Sequence, residues 1–307
     1  MLHNSCRPNF FIVGAAKCGT TSLANYLSQH PDVYMPELKE PKFFSVPDNR
    51  FPHNGNGGMI ADAKVVKTQT DYELLFYSAK DYRARGEASV DYLYFQGVPK
   101  RIKEYNTCAK IIIILRNPAQ RAFSAYLHMI RDGWERLSFE DALEEEARRK
   151  ALNWEFFWFY KELGLYASQV ERYFKCFGPD QVHVILFEDL QKNALKVVQD
   201  VFKFLSVDST FVPDVSIKFN VSGLPRKKWL HNLFNRRNLL KSSIKLFLPK
   251  SFRKDLNRRI TNKNLEKIRM GTETYKLLAE LYQKDVINLQ SIIRRDLTTW
   301  LPSAHSE

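Results

Sequence analysis

The stretch FFIVGAAKCGTTSL, residues 10–23, constrains the fold more than any other part of the chain. Phe10 to Val13 is a short apolar run ending at a glycine, as in a buried parallel strand. Thr20 to Gln29 carries apolar residues at Leu23, Tyr26 and Leu27, as on one face of a helix. Strand, glycine loop and helix, in that order, aim unpaired backbone N–H groups at an anion. The loop then departs from the nucleoside triphosphate pattern G-x-x-x-x-G-K-[ST]. Gly14 and Gly19 keep its spacing, but Thr20 and Thr21 follow the second glycine, and the lysine has moved inside the loop, to Lys17. Taken alone, the two glycines would also serve as plain turn residues.

Further along, Arg85 to Val90 and Val182 to Phe187 read as strands, and Lys110 to Leu115 (KIIIIL) is the clearest buried one. Asn117 and Pro118 supply an N-cap and a first-turn proline for a helix to about Arg131. Thr70 with Glu73 reads as a capping box for a helix through Tyr77, and Ser138 with Asp141 starts another. Residues 46–62, rich in Gly, Asn and Pro, form an irregular insertion. The chain becomes helical after about residue 190, with an amphipathic stretch from Glu273 to Arg294 and a docking tail, LTTWL. Strands alternating with helices imply a parallel sheet wound by crossovers. With 307 residues, 44% hydrophobic, and neither repeats nor low-complexity linkers, the chain can bury one large core. The expected fold is therefore a single α/β domain over residues 1–307, with a P-loop-like central parallel sheet flanked by helices and a helical C-terminal portion.

A second anion site follows the isoleucine-rich strand. In LRNPAQRAFSAY, residues 115–126, Arg116 emerges at the carboxyl edge of the sheet, where α/β proteins place ligands, and Ser124 lies two turns along the next helix. An arginine and a hydroxyl so placed can clamp a phosphate. Arg116 would serve equally well as a capping or salt-bridging residue if it stood alone.

Together, KCGTTSL at 17–23 and LRNPAQRAFSAY at 115–126 resemble the 5′-phosphosulfate and 3′-phosphate motifs of sulfotransferases that use 3′-phosphoadenosine 5′-phosphosulfate (PAPS). The resemblance continues in LKEPKFFS at 38–45, FEDL at 187–190, NVSGLPRKK at 220–228 and the closing YQKDVINLQSIIRRDLTTWL, and is nearest to the bacterial and glycan sulfotransferases. It implies that Lys17, Cys18, Gly19, Thr20, Thr21 and Ser22 hold the phosphosulfate. Arg116 and Ser124 hold the 3′-phosphate, and Arg226 or Lys227 closes over the nucleotide. It places the catalytic base on Glu40 and an assisting cation on Lys42, with adenosine 3′,5′-bisphosphate (PAP) as product and no metal. A lysine within the loop suits this chemistry, because the departing bridging oxygen gains negative charge that Lys17 can neutralise. Glu40, bounded by Pro41 and two aromatics, is expected to be partly desolvated, with a raised pKa. Where the glycan enzymes carry Lys-Thr-Pro, Ala88 and Ser89 follow Glu87, so one cationic contact is missing.

Charge leaves rival readings open. The net charge is +13, and between Pro225 and Ile260 twelve Lys and Arg face one acid, Asp255. That segment interleaves its cations with Trp229, Phe234 and Leu239, as on a lid, an anionic-membrane contact or a solvated face. A magnesium-dependent small-molecule kinase and a non-enzymatic basic scaffold are the alternative functions, and no nucleic-acid reading motif is present. The acceptor is expected to be a small molecule or saccharide, with hydroxyl preferred over amine. His30 and His128 read as structural, His128 being near enough to the second motif to merit a test. The aromatic run WEFFWFY, residues 154–160, reads as core. The four cysteines make no metal or CxxC pattern and the first ten residues lack the apolar core of a signal peptide, so a cytoplasmic protein is expected. The sequence carries no signature of oligomeric state.

Overall fold

The computed structural model describes residues 7–216, 224–225, 265–266 and 268–302. Five parallel strands form the centre: β1 (Phe10–Gly14), β2 (Val33–Tyr34), β3 (Ala84–Ala88), β4 (Lys110–Leu115) and β5 (Val182–Leu186). Their order across the sheet is β2-β3-β1-β4-β5. β1 and β4 are buried almost throughout because helices cover both faces, which is why both read as unbroken apolar runs. The described core is one contiguous cluster reaching from Phe10 on β1 to Trp300.

Helix α1 (Thr20–Leu27) follows β1, and the chain then returns on the β3 side, whereas β4 leads through α5 (Pro118–Arg131) to β5 on the other side. (Between them lie α2, Gly58–Asp62, α3, Gln69–Leu74, and α4, Val98–Tyr105.) The adjacent strands β1 and β4 therefore lead away in opposite directions, and a crevice opens at their carboxyl ends. Both expected anion loops sit at its mouth.

Local chemistry explains most element boundaries. Asn117 accepts from the Gln120 N–H and Pro118 opens α5. Ser138 likewise accepts from the Asp141 N–H to begin α6 (Phe139–Glu144). Helix α3 corrects the expected cap: Thr68, not Thr70, accepts from the Asp71 N–H. The pattern Thr-x-x-acid occurs twice in succession there. Glu73 is instead buried and ion-paired to Arg7 at 3.2 Å. Helices α7 (Glu146–Ala151), α8 (Tyr166–Phe177), α9 (Phe187–Lys192) and α10 (Ala194–Leu205) follow, and the C-terminal helix Thr272–Ile293 packs on α8 and α5. No described helix is long and apolar enough to cross a membrane.

Candidate active site

Backbone geometry builds the first cradle. Lys17 (φ 70°) and Gly19 (φ 95°) take the left-handed conformation, turning the loop tightly under the start of α1. Gly19 is required twice over, since a Cβ there would also lie 3.0 Å from the Phe187 ring. No described side chain caps α1 at Gly19, and the helix presents its N-terminus to the cleft.

The second cradle rests on α5. Gln120, Phe123, Ser124, Leu127 and His128 form the cleft-facing stripe at helical spacing, while Arg121 turns fully into the core and donates to the Tyr160 carbonyl. Arg116 stacks over the Phe187 ring at 4.8 Å and reaches Gln120 only at a long 3.5 Å. Burial lowers its pKa from the ordinary arginine value, and its Nε is buried without a partner.

Both cradles open into one cleft of about 1060 Å³, whose walls include Lys17, Gly19, Thr20, Thr21, Ser22, Arg116 and Ser124. Lys17 has no hydrogen-bond or ion-pair partner among the described residues. Desolvation lowers its pKa to about 7, helped by Arg131 and Lys39 and opposed by Asp132 and Glu40. Lys17 and Arg116, neither in an ion pair among the described residues, thus share one cleft, one in each cradle.

Glu40 lines the same cleft and pairs with Lys39 at 3.2 Å, and Lys39 also donates to Thr21 Oγ1 at 2.5 Å. About a fifth of the Glu40 side chain, 21%, stays exposed, so it is partly buried beside Pro41. Heavy desolvation falls on carboxylates behind it: burial pushes Glu87 up to about 7 and Asp91 to about 6. Lys42 also reaches the cleft, but its ammonium is committed to Glu155 at 2.8 Å, above the rings of Phe156 and Phe157. Burial alone would lower the Lys42 pKa, and Glu155, Asp91 and Glu40 together reverse that and raise it.

His128, read from sequence as structural, faces the cleft near Lys17. Desolvation, Lys17 and Arg131 push its pKa down to about 2, so the imidazole is neutral. Arginine only donates, so the 2.6 Å contact from Arg131 Nη2 makes Nδ1 the acceptor and leaves the proton on Nε2. His30 is structural as expected, with Nδ1 accepting from the Asp32 N–H at 3.0 Å.

Cys18 corrects the reading from sequence. Its thiol is fully buried beside Tyr166 and Ala16, with a pKa pushed up to about 11 by desolvation, and its N–H is spent on the Ala15 carbonyl. It packs as a small apolar side chain beneath the loop and contributes nothing to the cleft wall. The aromatic run divides: Phe156, Trp158, Phe159 and Tyr160 are core, Trp158 also backing the cleft, while the half-buried Phe157 lines it with Glu155. The 46–62 insertion supplies Asn56, Gly57 and Ile60 to the opposite wall, where Asn56 donates to the Trp134 carbonyl at 2.8 Å. Arg226 and Lys227, expected to close over a nucleotide, lie outside the described residues, as does most of the basic segment.

Residues 7–281 match the family model described as "Sulfotransferase domain". The chain belongs to the sulfotransferase family. A solved sulfotransferase from Alicyclobacillus acidocaldarius is 38% identical, superposing with a TM-score of 0.78 over 96% of this chain and 98% of its own. Among curated relatives, the bifunctional heparan sulfate N-deacetylase/N-sulfotransferase 3 of Mus musculus is 28% identical over 222 residues, 69% of this chain and 24% of that protein. The Homo sapiens protein of the same name is 29% identical over 209 residues, 65% of this chain and 22% of its own length. The chain thus spans about a quarter of the length of these relatives. Family membership fixes the reaction class: this sulfotransferase is an enzyme of sulfuryl transfer, and the kinase and scaffold alternatives fall away.

Proposed function

We propose that this sulfotransferase takes its sulfuryl group from PAPS and passes it in line to a hydroxyl of a small molecule or saccharide, releasing PAP. The observation that carries the reading is that Lys17 and Arg116, neither ion-paired among the described residues, line one cleft. A doubly phosphorylated adenosine presents anions at both its 5′ and 3′ ends, one for each cation. Gly19, Thr20, Thr21 and Ser22 wrap the phosphosulfate, and Arg116 with Ser124 takes the 3′-phosphate.

In this reaction the acceptor oxygen forms a bond to sulfur while the bond from sulfur to the 5′-phosphate oxygen breaks. The electron pair leaves on PAP, where Lys17 offsets the developing charge, and the acceptor proton passes to Glu40. No metal takes part in the proposed step. His128, neutral and protonated on Nε2, acts as a hydrogen-bond donor beside the transferring group rather than as a base. Lys42, tied to Glu155, shapes the field without a free ammonium to offer. Heparan sulfate, in the name of the curated relatives, supports a saccharide as one acceptor class, and their N-sulfotransferase name keeps an amine as the alternative nucleophile.

Thermal shift with PAP, against ATP with magnesium, tests the donor. PAP at about 100 times its Kd stabilises by about 2.7 kcal/mol, and ATP with magnesium leaves the melting temperature unchanged. Lys17→Ala and Arg116→Ala each weaken PAP about 10- to 100-fold, as expected for lost charge-assisted hydrogen bonds. Glu40→Gln binds PAP normally and lowers turnover by about 100- to 10,000-fold; full turnover in that variant would place the base elsewhere.

A further inference from the structure

The segment that carries Glu40 bends where residues other than glycine seldom go. Glu40 (φ 58°) and Lys42 (φ 56°) both adopt the left-handed conformation, on either side of Pro41. Such a backbone persists only when its surroundings over-determine it. Two hydrogen-bond relays do so, and both end on one carboxylate. The Lys42 N–H donates to Ser89 Oγ at 3.1 Å, and that hydroxyl donates to Glu87 Oε2 at 2.7 Å. The Phe44 N–H donates to the Tyr92 hydroxyl at 3.2 Å, which donates to Glu87 Oε1 at 2.7 Å. Tyr72 adds a third donor to Oε1 at 3.1 Å.

The direction of these bonds follows from the carboxylate. Both Glu87 oxygens accept here, Oε1 from Tyr92 and Tyr72 and Oε2 from Ser89, which leaves the Ser89 and Tyr92 oxygens to face the backbone as acceptors. Glu87 is 1% exposed and stands at the end of β3, the strand beside β1, so the relays tie the Glu40 segment to the rigid sheet that carries the Lys17 loop. We propose that Glu87 is a positioning residue for sulfuryl transfer: through Ser89 and Tyr92 it fixes the backbone from Glu40 to Phe44 and thereby the reach of Glu40 into the cleft. The inference rests on Glu40 being the base.

The test uses the full chain, PAPS as donor and water as acceptor, with sulfate release giving kcat and KM and with PAP binding measured separately. Glu87→Ala lowers kcat about 100-fold, as a small misplacement of a reacting group does, with PAP affinity unchanged. Glu87→Gln, which still accepts from the tyrosines, recovers most of the rate. The double variant with Glu40→Gln is no slower than Glu40→Gln alone, because Glu87 acts through Glu40. A folded Glu87→Ala with wild-type kcat, or losses that multiply in the double variant, would overturn the proposal. Should Glu87→Ala fail to fold, Ser89→Ala and Tyr92→Phe each cut one relay: a kcat several-fold lower with PAP affinity intact supports it, and wild-type kcat in both refutes it. Loss of the underlying reading looks different, with Glu40→Gln itself turning over at full rate.

Discussion

In the proposed reaction Lys17 is the residue on which the chemistry turns, and its titration would make donor binding sensitive to pH. Its pKa stands near 7, chiefly through desolvation. A bound phosphosulfate or phosphate favours the ammonium and raises that value, so above pH 7 binding must take up a proton. PAP affinity is therefore highest at and below pH 7, and well above 7 its Kd rises by up to about tenfold per pH unit. Calorimetry at pH 8.5 in two buffers of different ionisation enthalpy reads the proton directly, and Lys17→Ala should show neither uptake nor slope. Lys17 was legible in the sequence because the loop is a local motif. Its lowered pKa was not, since Arg131 and Lys39 reach it through the fold. Cys18 misled because a residue inside a motif need not face what the motif binds.

At the scale of elements, short-range chemistry was readable and long-range pairing was not. The strand Lys110–Leu115 and the helix Pro118–Arg131 begin and end where the apolar run, Asn117 and Pro118 say they should. Strand β2, only two residues long, carries no periodicity to detect. Nor does spacing reveal that Lys42 pairs with Glu155, 113 residues away, joining the Glu40 segment to the aromatic run. Both side chains of this pair are nearly buried, at 12% and 6% exposure, so removing one charge strands the other. Glu155→Gln should cost about 3 kcal/mol, the low end for a broken buried pair because Asp91 still faces Lys42. Urea denaturation measures this, and a loss under about 1 kcal/mol would mean that solvent reaches the ammonium.

For the whole molecule, the sheet order brings two motifs about a hundred residues apart in sequence to adjacent strand ends, and that convergence turns two ambiguous stretches into one site. The same packing buries acids behind the cleft. Glu87 holds its proton to about pH 7 in the folded chain, against an ordinary 4.5, because burial outweighs its three hydrogen bonds. Between those values the folded state binds more protons than the unfolded one, so stability falls as pH rises. The contribution is complete below pH 4.5 and gone once pH has passed through 7. Asp91, raised to about 6, acts with the same sign, while Lys17 acts oppositely above 7. Between pH 5.5 and 8, Glu87 alone should remove about 2 kcal/mol from the wild-type unfolding free energy. Glu87→Gln lacks that titration, so its stability should fall by about 2 kcal/mol less over the same interval. Parallel pH profiles for the two proteins would show instead that Glu87 stays ionised throughout, its three donors outweighing its burial.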